Sequence, residues 1–101
     1  MTGIVIVTYN SAALIDGCLA ACLRLGNTHV VVVDNASRDG TPDVVRTRPE
    51  VQLITNPVNR GFAGAANQGI DAAPGETILL LNPDALLESG IESLNHTTLA
   101  P

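Results

Sequence analysis

The residues of this sequence that could do chemistry stand at four places, each directly after a short apolar run. The run at 4–7 leads to Thr8-Tyr9-Asn10, that at 30–33 to Asp34-Asn35-Ala36-Ser37, that at 51–54 to Asn56 and then Asn59-Arg60, and that at 78–81 to Asn82-Pro83-Asp84. Gathered on one rim, they would supply two acids, several amides, one arginine and the only tyrosine of the chain. Amides orient a polar ligand by hydrogen bonds, and a tyrosine ring can stack on a planar base. Arg60, followed by Gly61 and Gly64, marks a helix start, where free N–H groups and the helix dipole favour an anion. Asp84, just past a buried run, is the kind of oxygen ligand that holds Mg²⁺ or Mn²⁺ together with substrate phosphates. The turn preferences of Asn, Asp, Ser and Gly explain any one of these positions equally well. Their recurrence after all four runs points to a ligand instead. The glycines match neither a Walker loop nor the dinucleotide fingerprint, and no glycine-rich turn follows the first run, which counts against ordinary dinucleotide binding.

The four runs are rich in β-branched residues and too short for helices, so they read as strands. Three are apolar throughout, as parallel strands buried on both faces are, whereas the third carries Gln52 and is expected at an edge. Between the first two, Leu14, Cys18, Cys22 and Leu25 with Ile15, Leu19 and Leu23 form an apolar helical stripe, capped by Asn10 or Ser11 and ended by Gly26. The two cysteines fit that stripe as small core residues. Thr41-Pro42-Asp43 offers an N-cap, a proline at the first helical position and an acid at the positive dipole end of a second, short helix. A third helix is expected from about Gly61 to Ala73, with Phe62, Ala66, Ile70 and Ala73 on its inner face and Phe62 in the core. This alternation predicts an α/β fold: an open parallel sheet of about four strands in the order 3-2-1-4, with helices on both faces. Ligands of such sheets bind outside the carboxyl ends of the strands, beside the switch in strand direction, which is where the four polar groups fall. Beyond Asp84 the pattern fades. Leu86 to Leu94 is expected to be a helix and Asn95 to Pro101 a loose end, leaving the outer side of the fourth strand unpaired and open to a homodimer partner.

The chain has 101 residues, enough for one domain, and its 46% hydrophobic content disfavours disorder. Its longest apolar runs are far short of the ~20 residues of a membrane-spanning helix. A net charge of −5 and scattered arginines make nucleic acid a poor partner. No basic, cleavable leader is evident, so a cytoplasmic location is expected.

Together these stretches resemble the family 2 glycosyltransferases of GT-A fold, and among them the rhamnosyltransferase-like bacterial members. The likeness rests on residues 4–10, on 31–41 with Asp34-Asn35-Ala36-Ser37-Arg38-Asp39-Gly40-Thr41, on 59–69 with Asn59-Arg60-Gly61-Phe62-Ala63-Gly64, and on 79–84 ending in Asn82-Pro83-Asp84. It implies a nucleotide-sugar-binding half over residues 1–87, followed by a helical or loose segment over 88–101 of a truncated chain. It implies that Thr8 and Tyr9 border a pyrimidine base, that Asp34 accepts from the base imide N–H, and that Arg60 lies against the base or the diphosphate. Asn10, Asn35, Gly61 and Asn67 would complete the donor site. In the place of the family's D-x-D motif, Asn82 would approach the ribose and Asp84 would ligate Mg²⁺ or Mn²⁺; an asparagine at the first position departs from the strict pattern and leaves one charged ligand. The implied reaction is transfer of a sugar, with inversion, from a UDP- or dTDP-sugar to a hydroxyl of a glycan or lipid-linked glycan acceptor, in polysaccharide synthesis in the cytoplasm or, through a longer parent protein, at the inner face of the membrane. The family's general base lies in a following acceptor-binding half, and Glu88 and Glu92 read as a solvated helix face, so no catalytic residue is assigned within these residues. They are expected to bind a donor without turning it over. Two alternatives stand beside this reading: a non-catalytic nucleotide-binding module, and a pyrimidine nucleotidyltransferase, which shares the general fold but whose glycine-rich loop with Arg and Lys after the first strand is missing here.

Overall fold

The computed structural model describes residues 1–75, 77–83 and 98–99. Its elements are β1 (Thr2–Thr8), α1 (Ala12–Leu23), β2 (Thr28–Asp34), α2 (Thr41–Arg46), β3 (Gln52–Thr55), α3 (Gly61–Ala72), β4 (Thr77–Leu81) and a two-residue β5 (Thr98–Leu99). They form one sheet in the order β3-β2-β1-β4-β5. β1 to β4 are parallel, so their carboxyl ends share one rim: Thr8 is level with Asp34, Asp34 with Thr55, and Ile6 with Leu81.

Alternation along the strands divides the core between the two faces of the sheet. Ile4, Ile6, Val30 and Val32 pack with Ile15, Cys18, Leu19 and Cys22 of α1 and with Val45 of α2. Val31 and Val33 face the other way, against Ala65 of α3. Both cysteines are buried. The hydrogen bond with Cys22, together with burial, pushes the Cys18 thiol up and keeps it a neutral core group.

Four expectations change. Phe62 does not enter the core; it is 55% exposed. α3 turns Ala65, Ala66 and Gly69 inward instead, because it lies so near the sheet that a Cβ built on Gly69 would stand 2.3 Å from Val5 Cγ1. Only the smallest residues fit at that separation, and the phenyl ring is displaced to the rim. Leu25 is exposed, since α1 ends at Leu23 and its apolar stripe ends there too. Thr41 is the first residue of α2, not its cap; Gly40 precedes it with φ +88°, in the left-handed region. Finally, β4 is not left bare, and the tail is not wholly loose. Thr98 and Leu99 pair antiparallel with Leu79 and Ile78, shielding there the backbone groups through which a second copy was expected to add. The expected helix at 86–94 lies outside the described residues. Among the described residues no helix is long and apolar enough to cross a membrane.

The contact of Gly69 with Val5 yields a direct stability test. Gly69→Ala should destabilise the chain by about 1 to 3 kcal/mol in urea denaturation, because the new methyl forces α3 off the sheet despite its better helix propensity. Asn67→Ala, on the exposed side of the same helix, should stay within about 0.5 kcal/mol of the native chain.

Candidate functional site

The carboxyl rim is organised around one buried carboxylate. Asp34, at the end of β2, is 1% exposed. Its Oδ1 accepts from Thr8 Oγ1 at 2.7 Å and from Ser37 Oγ at 2.6 Å, and its Oδ2 accepts from the Ser37 N–H at 3.0 Å. A carboxylate removed from water needs such donors, and three of them hold the loop after β2 in a tight curl. Ala36, inside that curl, takes φ +62°, an unfavourable conformation for a residue with a Cβ. It is held there from both sides, by Asn35 N–H donating to Thr8 O at 2.8 Å and by the Ser37 N–H bond.

This curl is tied to the loop after β1. Asn10, itself left-handed with φ +51°, donates its N–H to Ser37 Oγ at 2.8 Å and accepts from the Arg38 N–H at 2.9 Å. The start of α1 is capped from the same neighbour: Asp39 Oδ2 accepts from Ala12 N–H at 3.0 Å, and Thr41 Oγ1 accepts from Ser11 N–H at 2.9 Å while donating to Asp39 Oδ1 at 2.5 Å. Contrary to the expectation that Asn10 or Ser11 caps α1, Ser11 occupies the cap position without a side-chain bond to the helix. The cap comes from thirty residues away because β1 and β2 are neighbours. The Thr41 hydroxyl, and after it the Ala12 N–H, hold the Asp39 carboxyl below its ordinary value.

A second network fixes α3. Asn35 is 2% exposed; its Nδ2 donates to Gly61 O at 3.0 Å, and its Oδ1 accepts from Asn56 Nδ2 at 3.1 Å and from the Arg60 N–H at 3.2 Å. Asn56 and Gln68 exchange a reciprocal pair of amide bonds at 2.8 and 2.9 Å. Asn59 Oδ1 accepts from the Gly61 N–H at 2.7 Å, and Gly61 has φ +74°. The start of α3 is thus clamped to the ends of β2 and β3.

Two hollows open on this rim, on either side of Tyr9, which is 56% exposed. The larger, about 610 Å³, lies over the ends of β2 and β3 between Tyr9, Ser37, Arg38, Asn56 and Asn59. A further recess of about 370 Å³ continues it past Asp34 and Ala36 towards α2, sharing Ser37, Arg38 and Asn56. The other hollow, about 440 Å³, sits at the switch between β1 and β4, lined by Tyr9, Asn10, Asn35, Gly61, Phe62 and Asn82. It contains no charged side chain among its described lining.

The expected site residues are therefore sorted by the fold. Tyr9, Asn10, Asn35, Gly61 and Asn82 line the hollow at the switch, and Asp34 lines the recess. Thr8 is fully buried, and its hydroxyl serves Asp34 rather than a ligand. Arg60 and Asn67 are exposed, and neither lines these hollows. Asp84 lies outside the described residues, as do Glu88 and Glu92; among the described residues no group of three His, Cys, Asp or Glu is placed to hold a metal. Ser37 and Asn56 stand in the rim motifs without an expected role, and Arg38, Asp39 and Gln68 are not among the expected site residues. Their roles depend on partners 12 to 28 positions away, and only the recurrence of polar residues after apolar runs hinted at them.

The family model of glycosyl transferase family 2 matches residues 3–94. The chain belongs to glycosyl transferase family 2. Among curated relatives it is 44% identical over 84 residues to the succinoglycan biosynthesis protein ExoO of Rhizobium meliloti, covering 79% of this chain and 24% of that protein. It is 33% identical over 90 residues to a PGL/p-HBAD biosynthesis glycosyltransferase of Mycobacterium bovis, covering 83% and 35%. The chain thus spans about a quarter to a third of the length of these relatives. Its fold matches that of a mannosyltransferase from Pyrobaculum calidifontis, solved in complex with GDP-Man and Mn²⁺, with TM-score 0.75 and 34% identity over 82% of this chain and 27% of that one. A nucleotidyl transferase from Methanothermobacter shares the fold, with TM-score 0.76, at 18% identity over 95% of this chain and 56% of that one.

The Asp39 cap makes stability depend on acidity in a defined direction. A carboxyl whose value is lower folded than unfolded adds stability that is fully present above the unfolded value, near 3.8, and is lost as pH falls through the lower folded value. The melting temperature should therefore fall as pH drops below about 4, and Asp39→Asn should flatten the part of that fall due to this group.

Proposed function

We propose that this chain is the donor-binding part of an inverting, rhamnosyltransferase-like glycosyltransferase that takes a sugar from a UDP- or dTDP-sugar and passes it to a hydroxyl of a glycan or lipid-linked glycan. The observation that carries the reading is the pair of hollows flanking Tyr9 at the switch of strand direction, in a chain of this family. The hollow over β2 and β3 suits the base: a tyrosine wall, an arginine, and the carboxylate of Asp34 in the adjoining recess. The hollow at the β1/β4 switch suits the ribose and sugar, because neutral amides can hydrogen-bond hydroxyl groups without discriminating by charge. The GDP-Man in the solved mannosyltransferase supports a nucleotide-sugar donor; the choice of a pyrimidine rests on the acceptor oxygen of Asp34 beside Tyr9.

In the reaction proposed, the acceptor oxygen bonds to the anomeric carbon as the bond from that carbon to the diphosphate oxygen breaks. The electron pair leaves with the diphosphate, and the acceptor proton passes to a general base. The described residues bind and orient the donor for this displacement. A divalent cation, when bound, would neutralise charge on the leaving diphosphate. Asp84 is the proposed ligand, with Asn82 two positions before it in the sequence, and the Mn²⁺ of the solved mannosyltransferase supports the use of a divalent cation.

Two outcomes test the reading. UDP and dTDP should raise the melting temperature more than ADP and GDP do; equal protection by all four would remove the pyrimidine assignment. In calorimetry, Mn²⁺ should tighten UDP binding to the native chain and leave it unchanged in Asp84→Ala, and a metal effect of the same size in the variant would take Asp84 out of the site. Asp34→Asn is a poor probe, because an amide would turn donors toward the Thr8 and Ser37 hydroxyls and loosen the fold along with the site.

A further inference from the structure

The sequence placed its cation for the nucleotide at Arg60, but the rim presents another. Arg38 lines both the hollow over β2 and β3 and the recess beside Asp34. Its backbone N–H donates to the side-chain Oδ1 of Asn10 at 2.9 Å, and among the described residues its guanidinium makes no ion pair. Arg46, across the recess, is engaged with Asp43 at 3.0 Å. Arg38 is therefore the unneutralised cation of this trough, and it stands on the wall that the two parts share.

The neighbouring acceptor is asymmetric. Asp34 Oδ1 already takes two hydrogen bonds, whereas Oδ2 takes one, from the Ser37 N–H. Oδ2 keeps a lone pair for an incoming N–H. The trough thus offers one acceptor beside a group that can only donate. The complementary edge is an N–H flanked by a carbonyl oxygen, as the uracil ring presents at N3 and C4. Cytosine reverses both: its N3 is an acceptor facing the carboxylate, and its C4 amino group is a donor facing the guanidinium. Mismatched donors and acceptors in a partly desolvated site are strongly disfavoured.

We propose that Arg38 is a specificity residue of this chain, its guanidinium donating to the ring carbonyl next to the N–H that Asp34 Oδ2 accepts, so that the site selects a keto pyrimidine over an amino pyrimidine. The proposal rests on the donor-binding reading above. Its test is calorimetry of UDP and CDP with the native chain, Arg38→Ala and Arg38→Lys. UDP should bind the native chain about tenfold or more tighter than CDP. Arg38→Ala should cut that preference by about threefold or more by weakening UDP alone, leaving the share that Asp34 supplies, and Arg38→Lys, with a cation but no fork, should fall between. Only the backbone N–H of Arg38 bonds to Asn10, so the melting temperatures of the variants without ligand should match the native one. Persistence of the full native UDP preference in Arg38→Ala would overturn the proposal. Equal weakening of UDP and CDP would also overturn it, placing Arg38 against the ribose or diphosphate. A native chain that binds neither nucleotide would instead bring down the donor-binding reading, and this proposal with it.

Discussion

The buried carboxylate of Asp34 is the constraint on which the rim of this molecule depends. It sits at the end of a central strand with 1% of its surface exposed, where a charge without donors would cost several kcal/mol. Thr8 answers from the adjacent strand and Ser37 from the loop that follows. Satisfying both oxygens forces that loop to curl, puts Ala36 in the left-handed region, and presents the Ser37 hydroxyl to Asn10. One buried charge thereby sets the path of two loops and the walls of the trough between them.

The other determinant is the distance between α3 and the sheet. Gly69 against Val5 and Val33 lets the helix lie close, while Asn35 holds its start to the end of β2 and the Asn56–Gln68 amide pair holds its middle to the end of β3. The close approach expels Phe62 to the rim, beside the hollow at the β1/β4 switch. The clamp leaves Asn35 with its hydrogen bonds directed inward, so a residue whose type suggested ligand binding works mainly by holding the scaffold that binds. The rim divides its labour: the buried Asp34, Asn35 and Asn56 are hydrogen-bonded to their neighbours and also line the hollows, while Tyr9, Arg38 and Phe62 line them from exposed positions.

The strands, their order and the rim that carries the candidate site were legible because each rests on local pattern. Uninterrupted β-branched runs mark strands covered on both faces, Gln52 marks the edge, and the handedness of crossovers leaves few ways to arrange the rest. The core positions of Cys18 and Cys22 followed from the same periodicity. The errors at Phe62 and Leu25 have different sources. Helical periodicity counts apolar residues without knowing how near the helix lies to the sheet, and it does not mark the turn at which a helix stops. The pairing of Thr98–Leu99 with β4 was illegible because two residues carry no pattern.

What the sequence by itself determined is the family and the sheet, since short-range pattern and contiguous motifs suffice for both. What only the tertiary structure decided is which polar residues serve the fold and which line the hollows of the rim. Thr8, Asn35 and Arg60 have the right types and stand in the right motifs, yet hydrogen bonds across 25 or 26 positions commit the side chains of Thr8 and Asn35 inward and anchor Arg60 by its backbone N–H. Arg38, which pattern alone does not distinguish from other surface arginines, is brought to the trough by a bond across 28 positions to Asn10. The physical reason is that a polar side chain is free for function only after every buried donor and acceptor around it has found a partner, and those partners are assigned by neighbours in space.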